Sequence, residues 1–136
     1  MKKLLSIMVM VSIIALSGCS LLEEANKSIN YATEATEYIN ELSTFAEKAS
    51  NIEGENLKSE LESLETTIKD FKETEPPSIA KDIHKELENK SQTLLDAINN
   101  VQKNGEVTIE KLKQSNVYQT IENITELKQQ IEQLGS

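Results

Sequence analysis

Leu57-Lys58-Ser59-Glu60-Leu61-Glu62-Ser63-Leu64-Glu65-Thr66-Thr67-Ile68-Lys69-Asp70-Phe71 decides the fold of this chain. Its apolar residues, Leu57, Leu61, Leu64, Ile68 and Phe71, recur at spacings of four, three, four and three, with charged residues between them. An α-helix closes a turn in about 3.6 residues, so this rhythm puts all five on one stripe, as in helices that pack like a coiled coil. Pro76-Pro77 ends the helix, because proline lacks a backbone donor and drives the residue before it out of helical backbone.

The same pattern continues on both sides. Downstream, Ser78 can cap the next helix or Pro77 can occupy its first turn. That helix carries Ile79, Ile83, Leu87, Leu94, Ile98 and Val101 on one face and stops at Asn104-Gly105. Val107, Ile109 and Leu112 suggest one or two further turns, although the crowding of Val, Thr and Ile at 106–109 also suits a short extended piece. After a break or cap at Ser115-Asn116, Val117, Ile121, Ile124, Leu127, Ile131 and Leu134 define a last amphipathic helix closed by Gly135. Upstream, a helix from about Leu22 to Ala49 has Ala25, Ile29, Ala32, Thr36, Ile39, Leu42, Phe45 and Ala49 as its inward positions. Small residues lead there, so its first half is expected to bury less. The polar stretch from Ser50 to Asn56, with Gly54, separates it from the helix that follows. The expected fold is all-α: a small up-down bundle of three to four amphipathic helices, with a three-helix core and a projecting N-terminal helix as the competing arrangement.

The N-terminus has a different character. Met1-Lys2-Lys3 is a short basic start, and Leu4 to Leu16 is an almost unbroken apolar run. The run is shorter than the roughly 20 residues that span ~30 Å of hydrocarbon, which favours a secretory signal over a permanent membrane helix. It ends in Leu16-Ser17-Gly18-Cys19, and Cys19 is the only cysteine. That tetrapeptide resembles the lipobox of bacterial lipoproteins, in which the cysteine sulfur is acylated and the chain is cut just before it. The expected division is a signal peptide at 1–18 and a lipid-anchored helical domain at 19–136. Two acyl chains, at about 0.8 kcal/mol for each buried CH₂, hold a small protein that one chain would release.

Loss of Lys2 and Lys3 with the signal peptide moves the net charge from −9 to −11. The basic residues are all lysines. With no arginine fork for phosphates or base edges, and an acidic balance, nucleic acid is excluded as a partner. Tryptophan is absent and the aromatic residues are few, which is thin for a pocket that grips planar ligands.

No residue constellation specifies a reaction. His84, the only histidine, follows the core-facing Ile83 and reads as a surface or boundary residue; Glu88, four residues on, can reach it. One histidine and one lipidated cysteine make no zinc set, and no oxygen-rich calcium loop is present. Glu60-Leu61-Glu62 and Glu86-Leu87-Glu88 flank core positions with solvated carboxylates. There is no Gly-x-Ser-x-Gly turn and no glycine-rich phosphate loop. An enzyme is therefore not expected, nor a cofactor or a metal.

Ser28-Ile29-Asn30-Tyr31-Ala32-Thr33-Glu34-Ala35-Thr36-Glu37-Tyr38 and Glu75-Pro76-Pro77-Ser78-Ile79-Ala80-Lys81-Asp82-Ile83-His84, together with the Leu16-Ser17-Gly18-Cys19 motif, resemble a family of small uncharacterised lipoproteins of Bacillus and its relatives, a domain of unknown function. The resemblance covers nearly the whole chain. It implies a Gram-positive cell with the protein on the outer face of its membrane, and it transfers no catalytic residue.

Together these readings describe a membrane-tethered cell-envelope lipoprotein that serves as a helical interaction or structural module. The alternative is an accessory lipoprotein that binds a small ligand or ion. The expected partners are the membrane, through Cys19, and a protein of unknown identity. Tyr31, Ala35, Tyr38 and Ile39 on the first helix are the expected protein-binding residues, because that segment has the weaker core character.

Overall fold

The stripe from Leu57 to Phe71 winds into a helix, α2 (Glu55–Lys72), with all five apolar residues buried. The computed structural model describes the side chains of residues 20–52 and 54–136. Around α2 stand α1 (Lys2–Ala49), α3 (Lys81–Lys103), α4 (Ile109–Gln114), α5 (Val117–Thr125) and α6 (Lys128–Leu134), with one 3₁₀ turn (Ser78–Ala80) leading into α3. No strand occurs among the described residues, and 106–108 forms the approach to α4, which Ile109 opens. There Thr108 takes extended backbone, and its Oγ1 accepts a hydrogen bond from Lys111 N at 3.3 Å, capping the helix.

The helices form a four-cornered up-down bundle. α1 packs on α2 at one side and on α5 and α6 at the other, while α3 packs on α2 and α5. α1 and α3 therefore stand diagonally opposed. Ser43 meets Thr125, Asn40 meets Lys128, and a Cβ on Gly135 would lie 3.0 Å from the Ala32 methyl, so α5 and α6 descend antiparallel to α1 as the fourth corner. One core joins Ile39, Leu42, Leu61, Ile68, Leu87, Leu94, Ile98, Ile124 and Ile131. Full burial of each such side chain contributes about 1.5–3 kcal/mol.

The expected single last helix is divided at Glu126 and Leu127. Backbone dihedrals stay helical there, but Leu127 N bonds Ile124 O, three residues back, at 3.0 Å. Ile121, Ile124 and Leu127 are spaced by three and again by three, which drifts around an α-helix but stays on one side of a 3₁₀ turn. The tightened turn keeps all three in the core.

Two inward faces are also shifted from their expected positions. On α3 the buried row is His84, Leu87, Ser91, Leu94, Ile98 and Val101, in steps of three and four. Ile83 is only partly covered, and Ile79, expected inside, is 64% exposed while Ala80 fills the core position beside it. On α1 the buried residues are Ser28, Tyr31, Ala32, Ala35, Tyr38, Ile39, Leu42, Phe45 and Ala49, whereas Ile29 is 47% exposed and Ala25 faces solvent. Residues 28–49 of α1 are thus an integral corner of the bundle, and only the residues before them extend past it.

Candidate functional site

His84 is buried at 7% exposure, which corrects its expected surface or boundary position. The turn from Pro77 to Ala80 rotates α3 so that the imidazole enters the core between Phe71 of α2 and Tyr31 of α1. Its ring lies 5.6 Å from each of the two rings, edge-on to Tyr31 and tilted against Phe71. Tyr31 Oη and His84 Nδ1 are 3.0 Å apart; with the ring proton on Nε2, the phenol donates to Nδ1. One heptad further along both helices, Tyr38 Oη and Ser91 Oγ meet at 2.7 Å, and the Tyr38 ring stacks on Phe71 at 4.1 Å and 2°. These pairs cross the diagonal of the bundle and give each buried polar group a partner, without which burial would be costly.

Burial sets the electrostatics of this seam. It lowers the pKa of His84 below the ordinary 6.5, although the carboxylates of Glu88 and Glu34 act in the other direction. It raises that of Tyr31 well above 10, with Glu34 adding to the effect. Tyr38 is pushed up to about 12 by burial, against the hydrogen bond from Ser91. At neutral pH the seam is uncharged, and the Tyr31 and Tyr38 hydroxyls, Ser91 Oγ and His84 Nδ1 are engaged within the bundle.

Tyr31, Ala35, Tyr38 and Ile39, expected to form a protein-binding face, lie inside the bundle at 0–4% exposure. The correction has a simple cause. Tyr31, Tyr38 and Phe45 recur every seven residues, which places the aromatic side chains on the inward stripe. While the bundle is closed these four residues offer a protein partner almost no surface. Cys19 and the lipobox residues Leu16, Ser17 and Gly18 lie outside the described residues.

Beside the seam, α1 holds the loop between α2 and α3 at two points. Thr74 Oγ1 donates to Glu34 Oε1 at 2.7 Å, and Ser78 N donates to Glu24 Oε1 at 3.1 Å. The second contact places a carboxylate at the start of the 3₁₀ turn, where free backbone donors favour negative charge. A surface cleft of about 490 Å³ lies here, with Lys27, Tyr31, Glu34, Glu75 and Lys81 in its wall. No group of three or more His, Cys, Asp or Glu able to hold a metal occurs among the described residues. Glu62 and Glu86 pair with Lys58 and Lys90 one helical turn away, as solvated flanks of the bundle.

The architecture is that of a small all-α bundle with an apolar core, in which two buried polar pairs join α1 to α3. Residues 31–134, from the first seam tyrosine to the end of α6, match the family of unknown function DUF6376, and the chain belongs to that family. It is also 33% identical to the uncharacterized lipoprotein YybP of Bacillus subtilis (strain 168), over 99% of this chain and 99% of that protein. No solved structure matches it. A full-length likeness to a lipoprotein points to membrane association through a lipid, and no described helix is long and apolar enough to cross a membrane.

Proposed function

We propose that this protein is a cell-envelope lipoprotein, held by acyl chains on Cys19 at the outer face of the membrane, whose bundle acts as a binding or structural module and not as an enzyme. One observation carries the reading of the body. The groups most capable of chemistry, His84, Tyr31, Tyr38 and Ser91, bond in pairs in the interior, while the outside is acidic helix surface laced with exposed pairs such as Glu23–Lys27. Recognition then falls to the exterior faces, and the partner is a protein brought to the membrane surface. Cell fractionation of wild type and Cys19→Ala tests the tether: wild type is expected with the membranes and the variant in the soluble fraction. In-cell crosslinking and mass spectrometry tests the module, with crosslinks expected at exposed lysines such as Lys58, Lys69 and Lys85. Equal membrane retention of the two forms would refute the tether.

The cleft near Lys27, Glu34 and Lys81 favours a second reading, a small polar ligand or ion held between opposite charges. Titration of the intact protein with calcium chloride, followed through the Tyr31 and Lys81 resonances, tests it. Shifts confined to these residues support it, and uniform small shifts refute it.

A further inference from the structure

We propose that the end of the bundle from which α1 departs, marked by Leu21, Leu22, Ile29 and Ile79, rests on the lipid surface that holds the acyl chains of Cys19. The inference rests on the lipid-tether reading above and adds a second contact to it, made by the body.

The large apolar side chains exposed among the described residues are Leu21 at 70%, Leu22 at 67%, Ile29 at 47% and Ile79 at 64%. All lie at one end. Leu21 and Leu22 precede the first buried residue of α1, and Ile29 sits beside Gly135 at the end of α6. Ile79 belongs to the loop that α1 holds through Glu24 and Ser78 at 3.1 Å, one turn along from Leu21. Among the described residues, the opposite end, with the loops at Gly54 and Gly105, exposes no large apolar side chain.

The occupant follows from chain continuity. Leu21 and Leu22 stand two and three residues after Cys19, about 3 and 4.5 Å along a helix axis, so acyl chains on Cys19 bring a bilayer to their level. Ile79 joins them on a fixed loop: Glu34 holds Thr74 on one side of Pro76-Pro77, and Glu24 holds Ser78 on the other. Amphipathic elements with exposed apolar side chains settle at the boundary between headgroups and acyl chains. The body carries net negative charge, so apolar burial drives this contact and it persists on neutral lipid.

The chain has no tryptophan, which makes Ile79→Trp a single-tryptophan probe, excited selectively over the tyrosines, at an already exposed position. The full lipidated protein is reconstituted on phosphatidylcholine vesicles with and without acyl-chain bromination. The expected result is a blue shift and about a twofold loss of emission on brominated vesicles, with no loss for Glu106→Trp at the far end. A vesicle-bound protein whose Ile79→Trp emission is unquenched overturns the contact and leaves the tether standing. Failure of the lipidated wild type to bind vesicles overturns both. A blue shift that depends on protein concentration and not on lipid assigns the patch to a second copy and overturns the contact. If the variant does not fold, amide exchange of the wild type decides: slowing at Glu75 and at residues 78–80 on vesicles supports the contact, and unchanged exchange refutes it.

Discussion

Tyr31 and His84 meet at 3.0 Å across the diagonal of the bundle, 53 residues apart in sequence. Tyr38 and Ser91 repeat the relationship at the same separation of 53, one heptad along. α1 and α3 therefore run parallel and are held in one register by two different polar pairs. Sliding α3 by a heptad would set one tyrosine against the wrong partner and leave another polar group buried alone. An apolar seam has no such preference, and buried polar positions are a known means of fixing helix alignment.

Replacing either member of the first pair strands the other. His84→Leu leaves the Tyr31 hydroxyl without its partner, and Tyr31→Phe leaves Nδ1 without its donor, so each is expected to destabilise the bundle by about 1–3 kcal/mol in urea denaturation. The double variant should cost less than the two singles together, with a coupling of about 0.5–3 kcal/mol. Strict additivity would show that the pair does not act as a unit.

Stability should fall on both sides of neutrality. His84 has a lowered pKa when folded. The unfolded chain therefore takes up a proton near pH 6.5 while the folded chain resists, and stability declines as pH drops through that region. Above it both states are neutral and nothing is lost. At high pH the unfolded tyrosines ionise near 10 whereas Tyr38 holds its proton to about 12 and Tyr31 beyond, so stability declines again as pH rises past 10. The urea midpoint measured across pH reads both flanks, and His84→Leu should flatten the acid one.

Tyr118 makes an opposite case. Its hydroxyl is buried without a hydrogen-bond partner among the described residues, and burial raises its pKa. Tyr118→Phe removes an unsatisfied polar atom and keeps the ring. It is expected to leave stability unchanged or raise it by up to about 1 kcal/mol, read as thermal midpoint. A marked loss would reveal a bond that the hydroxyl makes.

The end of α3 depends on Gly105 and Lys111. Gly105 has φ +93, a region that disfavours side chains, and Lys111 Nζ donates to the carbonyls of Asn104 at 3.0 Å and Glu106 at 2.7 Å. Gly105→Ala is expected to cost about 1–2 kcal/mol through backbone strain. Lys111→Met should cost about 1 kcal/mol and speed amide exchange at 104–107. Unchanged exchange in Lys111→Met would rule out the clamp.

The helices and the breaks at Pro76-Pro77 and Asn104-Gly105 were legible because three-four apolar spacing and those residues each act locally, whereas the break at Glu126 and Leu127 carries no proline or glycine. The seam was not. On α3 the steps from His84 through Leu87, Ser91, Leu94 and Ile98 to Val101 are regular, but two of those positions are polar and fall out of any count of apolar residues. Likewise Tyr31 and Tyr38, one heptad apart, read as amphipathic surface until partners for their hydroxyls are known. The rhythm itself was the available signal. A polar residue that keeps step with a core stripe belongs to the core when another element supplies its hydrogen bond, and that element lies 53 residues away.

From Ser20 to Ala49, α1 is unbroken helix, and its residues 28–49 form a corner of the bundle. Residues 20–49 make a rod about 45 Å long at ~1.5 Å per residue, with no hinge along it. For a chain moored at Cys19, the rod acts as a ruler. It sets a fixed stand-off between the bilayer and the loops at Gly54 and Gly105, and it rules out long excursions. Whatever engages a chain so moored must itself come within that height of the membrane.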